Sequence, residues 1–151
     1  MVKINYTDED LVHHEGVAAV IKNKKGQILM QDHVKYSFWT LPVGKTKHAK
    51  DIFNGLKTEL SEECGIIVEE CKEIAKKRFA YIRNGKKVVV RLHLFEITKY
   101  SGIAKNKEPH KHRRQEFMGL EEIKRLPYLS DATRLYLKTL GFERKAKISA
   151  A

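Results

Sequence analysis

The stretch LKTELSEECGI, residues 56–66, decides how the rest of the chain is read. Glu59, Glu62 and Glu63 fall at i, i+3 and i+4, the spacing that puts three side chains on one face of a helix. Ile52, Phe53, Leu56 and Leu60 recur at offsets that make a second, apolar stripe. Asp51 has the short acceptor side chain of an N-cap, and Gly65 suits the left-handed position just past a helix end. The spacing therefore predicts an amphipathic helix from Asp51 to Cys64, with a core face and an acidic face. Like charges at i,i+4 cost an isolated helix roughly 0.2–0.5 kcal/mol per pair, and Lys57 is the only base between Asp51 and Ile66. Two readings follow. The acids form a solvated face, or they await a hard cation such as Mg²⁺, which takes oxygen ligands and often uses only one or two carboxylates plus substrate phosphates.

Working outward, 151 residues form one domain with room for a sizeable core, with residues 143–151 expected to fray. A hydrophobic content of 42% and an aromatic content of 9% fit a globular chain. No apolar run has transmembrane length, and the polar start MVKINYTDED is no signal peptide. Cys64 and Cys71 match no zinc or redox spacing, so a reduced, cytoplasmic setting without membrane association is the expectation. The net charge of +11 fits nucleic acid or a small, strongly anionic substrate such as a polyphosphate, and equally plain solubility. Bases are spread along the chain, with a short cluster only at Lys111, Arg113 and Arg114, which argues against a dedicated nucleic-acid groove.

GVAAVIK (16–22) and QILMQD (27–32) read as buried strands joined by a hairpin-type NKKG connection. A long, Pro- and Gly-bearing connection, 33–50, leads into the acidic helix, and long loops in compact domains are usually functional. Segments 73–82 and 87–97 read as strands about the turn RNGK. A polar loop, 98–114, precedes a short strand near 116–118. Two short helices follow, in GLEEIKRLP and in SDATRLYLKTL, the latter capped by Ser130 or Asp131 and ended by Gly141. Interleaved strands and helices predict an α/β or α+β class with a mixed sheet.

Gly44 followed by ELSEECGI at 59–66 resembles the Nudix box, G-x5-E-x7-R-E-U-x-E-E-x-G-U with U a bulky aliphatic, in register from Gly44 to Ile66 without a gap. FWTLPVGK (38–45) looks like the run that leads into that box, and NKEPHKHRRQEFMGLEEIKRLP (106–127) like a frequent Nudix tail. The resemblance spans roughly residues 16–127. It implies a Nudix-type α/β/α sandwich with a central mixed sheet and a loop–helix–loop catalytic motif. It also implies Mg²⁺-dependent hydrolysis (Mn²⁺ as the substitute) of a nucleoside diphosphate linked to another group. The pattern is broken at two places. Lys50 stands where the family has its first glutamate and Thr58 where it has its arginine; Lys47 and Val43 depart as well. The missing acid and arginine are commonly ion-paired in the family, and losing both sides of a pair is less damaging than losing one.

Carried over residue by residue, the resemblance implies Glu59, Glu62 and Glu63 as metal ligands, with the Gly44 carbonyl joining them. Glu62 and Glu63 are also catalytic candidates. The general base comes from the box or from the loop before the last strand, where Glu108 is the first candidate and Glu116 the second. His110 and His112 follow closely as phosphate or proton-transfer candidates, against the commoner role of plain loop histidines. On the substrate side stand Lys47 and Lys50 as point charges for phosphate, and Trp39, with Phe38 and Tyr81, as stacking surfaces. Arg78 and Arg91 lie on the paired strands, with one of them expected to reach the cleft. For each of these the alternative is an ordinary surface or core residue. Three functions compete. One is a hydrolase of nucleoside triphosphates, dinucleoside polyphosphates, ADP-ribose or nucleotide sugars, as monomer or homodimer. Another is a weakened Nudix domain that binds a nucleotide as sensor or partner. The third is an RNA-end or RNA-binding Nudix protein.

Overall fold

A computed structural model describes residues 11–46 and 51–142. The element order is β1 (Leu11–Val20), β2 (Ile28–His33), β3 (Phe38–Thr40), β4 (Val43–Thr46), α1 (Ile52–Cys64), β5 (Ile67–Arg83), β6 (Lys86–Ser101), β7 (His112–Met118), α2 (Leu120–Arg125) and α3 (Asp131–Thr139). The strands form a mixed four-stranded sheet in the order β4-β1-β6-β5 and an antiparallel three-stranded sheet in the order β3-β2-β7. β1 runs parallel to β6 and antiparallel to β4.

Side-chain alternation along β1 and β6 sends successive residues to opposite faces. Val17, Ala19, Ile21, Phe95 and Ile97 pack with Leu56, Leu60 and Cys64 of α1. Ala18, Val20, Leu92 and Leu94 pack with Ile123 of α2 and with Ala132, Tyr136 and Leu137 of α3. Each face of the mixed sheet thus has its own apolar layer and its own helix, which makes the α/β/α sandwich. The chain is of the α/β class.

The acidic helix forms as its spacing predicts. Asp51 caps it by accepting from the Asn54 amide at 3.1 Å, and Gly65 closes it in the left-handed conformation at φ 69°. The Gly65 and Ile66 amides return to the carbonyls of Ser61 and Leu60. Leu56 and Leu60 are buried; Phe53, expected on the core face, is 38% exposed and lies under the Lys57 ammonium.

Three expectations need correction. The turn at 23–26 does form, with Asn23 and Gln27 bonded and an isolated bridge between Lys22 and Ile28. Yet β1 and β2 do not continue as a hairpin, for they join different sheets. The connection 33–50 is not simply a loop, since β3 and β4 lie in it on either side of Pro42. The strands about the 84–85 turn are far longer than expected, 17 and 16 residues. Asn84 and Gly85 both hold positive φ, 52° and 74°, the pairing a tight twisted hairpin turn requires. The expected fraying at 143–151, like Lys47 and Lys50, lies outside the described residues. No described helix is long and apolar enough to cross a membrane.

Removing the contact that seats α1 should be costly. Leu60→Ala is expected to lower stability by about 2–5 kcal/mol. Ser61→Ala, on the exposed side of the same turn, should change it by less than about 0.5 kcal/mol. Urea unfolding of the two variants checks the contrast.

Candidate active site

Two glycines let α1 approach β4 closely. A Cβ on Gly44 would fall 2.5 Å from Glu59 Cδ, and one on Gly55 would collide with the Thr46 side chain. Strand glycine therefore sits directly under the first carboxylate of the acidic face, as the family resemblance implied. One turn further along α1, Glu63 is only 6% exposed. Glu62 is exposed, close enough to Glu59 for their charges to interact.

The third wall is the loop between β6 and β7. Lys105 and Lys107 donate their amides to the carbonyls of Cys64 and Glu63 at 2.9 and 3.1 Å. Gly102, at φ 91°, lies so close that a Cβ there would be 2.8 Å from the Gly65 carbonyl oxygen. Glu108 is pinned by its neighbours. Its amide donates to Asn106 Oδ1, and its carbonyl accepts from the amides of Lys111 and His112. The Lys111 ammonium lies 3.1 Å from Glu108 Oε2 and 3.9 Å from Glu63 Oε1, so one lysine bridges two acids. β2 supplies the floor, where Gln31 donates to Gln115 Oε1 at 2.8 Å and lies 3.5 Å from Cys64 Sγ.

The electrostatics follow from crowding acids in a half-dry site. Burial, with repulsion from Glu59 and Glu108 behind it, pushes the Glu63 carboxyl up to about 8. Burial and then the charge of Glu62 raise Glu59 as well. His112, buried beside His33, is driven down to about 4 and stays neutral at physiological pH. Burial lifts the Cys64 thiol to about 12, which makes it packing rather than a nucleophile.

Among the described residues, no group of three or more His, Cys, Asp and Glu side chains is gathered to hold a metal ion. What the cleft offers is a pair. Glu63 Oε2 is buried and meets no donor among the described residues; its neighbour is the Glu59 carboxyl, another acid. Such a pair is relieved by sharing a proton or by meeting a cation. Two carboxylates, with water and substrate phosphate completing the shell, suit Mg²⁺.

The other sequence-predicted residues divide. Trp39 is 9% exposed in the core beside Leu129 and Tyr136. Its amide and carbonyl bond to Tyr128 and Ser130, and the Arg114 guanidinium lies 5.0 Å over its ring. It holds β3 in place and presents no open stacking face. Arg78 and Arg91 pair across β5 and β6, both exposed, with Glu15 3.8 Å from Arg91. Glu116 is exposed on β7 and pairs with Met30. Thr58 is exposed on α1. Lys111 was not singled out for the site, although its i+3 spacing from Glu108 is the signal that could have marked it. Outside the cleft, buried His93 is held between Glu73 at 2.8 Å and Glu15 at 2.7 Å, tying β1, β5 and β6 together.

This arrangement coincides with a known one. Residues 12–139 match the NUDIX domain, and the chain belongs to that family, whose members hydrolyse nucleoside diphosphate derivatives. It is an enzyme of the Nudix pyrophosphohydrolase type. Among solved structures it is similar to a MutT NUDIX hydrolase from Burkholderia pseudomallei, at 26% identity and a TM-score of 0.69, covering 85% of this chain and 98% of that one. It is also similar to the E. coli ORF135 protein, at 23% identity and a TM-score of 0.71, covering 95% and 99%. An Ap4A hydrolase from C. elegans shares the fold at 18% identity and a TM-score of 0.59, covering 86% and 95%. Comparison with curated protein sequences gives no match.

The raised Glu63 carboxyl has a consequence for stability. An acid held above its ordinary value favours the fold while protonated and loses that contribution as it ionises. In EDTA, the melting temperature should fall as pH rises from the ordinary 4.5 towards about 8. Glu63→Gln should flatten that fall, and Mg²⁺ should restore stability at the alkaline end. Thermal melts across the pH range, with and without Mg²⁺, make the check.

Proposed function

We propose that the chain is a Mg²⁺-dependent hydrolase, with Mn²⁺ as a substitute, that cleaves the diphosphate linkage of a nucleoside diphosphate derivative. The observation that carries the reading is the pair of half-buried Glu59 and buried Glu63 over Gly44, with a Glu63 oxygen that meets no donor among the described residues. Glu59 and Glu63 would hold the cation, the Gly44 carbonyl would join them, and exposed Glu62 would be a further ligand or would orient water. When bound, the cation offsets charge on the phosphoryl oxygens and makes water a better nucleophile.

The chain's own groups do the rest. Glu108, fixed by three loop hydrogen bonds, is the base that takes the proton from the attacking water. Lys111 holds Glu108 in place and, once a cation neutralises Glu63, has an ammonium to turn towards substrate phosphate. Lys47 adds a point charge for the phosphates, and Arg78 and Arg91 are the more distant candidates for the same work. Thr58, exposed on α1, leaves no buried charge unpaired by departing from the family pattern, which favours an active enzyme over a weakened binding domain.

The substrate is a nucleotide derivative of the classes that resemblance to the family implies. A phosphate-release screen should include nucleoside triphosphates, dinucleoside polyphosphates, ADP-ribose and nucleotide sugars, with Mg²⁺, with Mn²⁺ and in EDTA. Turnover of at least one class is expected only with metal. Glu63→Gln should lose on the order of 10²-fold in kcat with the fold intact, the size seen when a preorganised electrostatic contact is removed. Wild-type turnover that persists in EDTA, or a Glu63→Gln enzyme with normal rate and normal Mg²⁺ dependence, sinks the reading.

A further inference from the structure

Apart from Arg78 and Arg91, the long β5–β6 ribbon carries a charge pattern that the hydrolytic site does not use. From 72 to 91 the sequence places eight bases against one acid, Glu73. That acid is already engaged, its carboxylate 2.8 Å from His93 Nδ1. Lys72, Lys76, Lys77, Arg78 and Lys86 are exposed. Pairing of β5 with β6 groups bases that look scattered in the sequence, with Lys77 and Lys86 on the face that carries Tyr81 and with Lys76, Arg78 and Arg91 on the opposite face. One exposed ring, Tyr81, lies among them, while Phe79 packs partly against the core. Strand alternation puts Lys77, Phe79 and Tyr81 on one face of β5, about 6.6 Å apart along the strand. Lys77 Nζ lies 5.1 Å from the Phe79 ring. Tyr81 is 40% exposed and Ile82, on the other face, 59%.

From this placement we infer that the β5–β6 ribbon is a binding surface for single-stranded nucleic acid, separate from the Glu59–Glu63 cleft and independent of whether that cleft hydrolyses nucleotides. Cations track a phosphate backbone, and aromatic faces between them receive bases without sequence preference. Edge protection of β5 accounts for only part of the pattern. Guarding an edge takes bases on the edge strand, whereas Lys86, Lys87 and Arg91 lie on β6, which has β1 and β5 on either side. A membrane surface is the poorer fit, because a membrane-lying element separates an apolar face from a basic one. Here bases occur on both faces, and the exposed Tyr81 ring shares its face with Lys77 and Lys86.

The test is anisotropy titration of the full chain with labelled single-stranded RNA and DNA of mixed sequence, at about 0.1 M salt, where exposed charges more than about 10 Å apart are largely screened. Binding is expected for the wild type, with affinity falling steeply as salt rises. The triple variant Lys72→Glu, Lys77→Glu, Lys86→Glu should lose about 10-fold or more in affinity. A control with the same change of net charge, Lys24→Glu, Lys25→Glu, Lys138→Glu, should lose less than about 3-fold. Tyr81→Ala should lose about 5-fold or more, the size of one base stack, and it serves alone if circular dichroism shows the triple variant unfolded. Absence of wild-type binding, equal losses in the triple and control variants, unchanged binding by Tyr81→Ala, or tighter binding to duplex or to anionic lipid vesicles would each overturn the inference.

Discussion

Everything in the cleft hangs on how closely α1 lies against β4. An amphipathic helix normally keeps its charged face away from the sheet it packs on, because burying a carboxylate without a partner is expensive. Here the packing stripe and the acidic stripe lie side by side, and the strand gives way instead. Gly44 makes room for Glu59, and Gly55 makes room for Thr46. The helix is thereby pulled down until two acids are half-buried together, in a state that a proton or a cation must relieve. The same contact that assembles the site makes it electrostatically uncomfortable when it has nothing to hold.

Comfort elsewhere in the fold makes that discomfort tolerable. β1 and β6 lie at the centre of the mixed sheet and feed apolar side chains to both layers. The acids are held from two sides, by leucines beneath the helix and by a loop stitched to its C-terminal carbonyls. Gly65 and Gly102 meet where that stitching is tightest, both with positive φ, so the loop can approach the helix end without a side chain between them.

The helix and its partner glycine were legible in the sequence because their signals are local. A 3.6-residue stripe, an aspartate cap, a left-handed glycine and a fixed interval back to Gly44 all fall within 23 residues, 44 to 66. The Asn84–Gly85 turn was legible for the same reason. Sheet membership was not. The segments that became β1 and β2 look like the arms of one hairpin, and only pairing with β6 and β7, far along the chain, draws them apart. β3 and β4 are too short, at three and four residues, to stand out beside a proline. Trp39 looked like a stacking surface because sequence shows the ring and not the Arg114 that covers it. Lys111 reads as one more base in a basic loop until the turn at Glu108 folds its ammonium back between two acids. The charge of the ribbon was hidden likewise, since residues spread over twenty positions are grouped face by face only when two strands are laid together.

The parallel pairing of β1 with β6 also governs when the enzyme can exist at all. In that ladder Gly16 meets Leu92 and Val20 meets Glu96, so each partner waits for another 76 residues further on. Closing so long a loop costs entropy before any contact repays it, whereas the β5–β6 ribbon closes across a two-residue turn. The order of assembly during synthesis follows from this. The ribbon can zip locally and β4 can pair with β1 early, but β1 takes its place in the sheet only once β6 has emerged, and the loop bearing Glu108 emerges later still. A nascent chain therefore keeps Glu108 from the Glu59–Glu63 pair until most of the protein has been made.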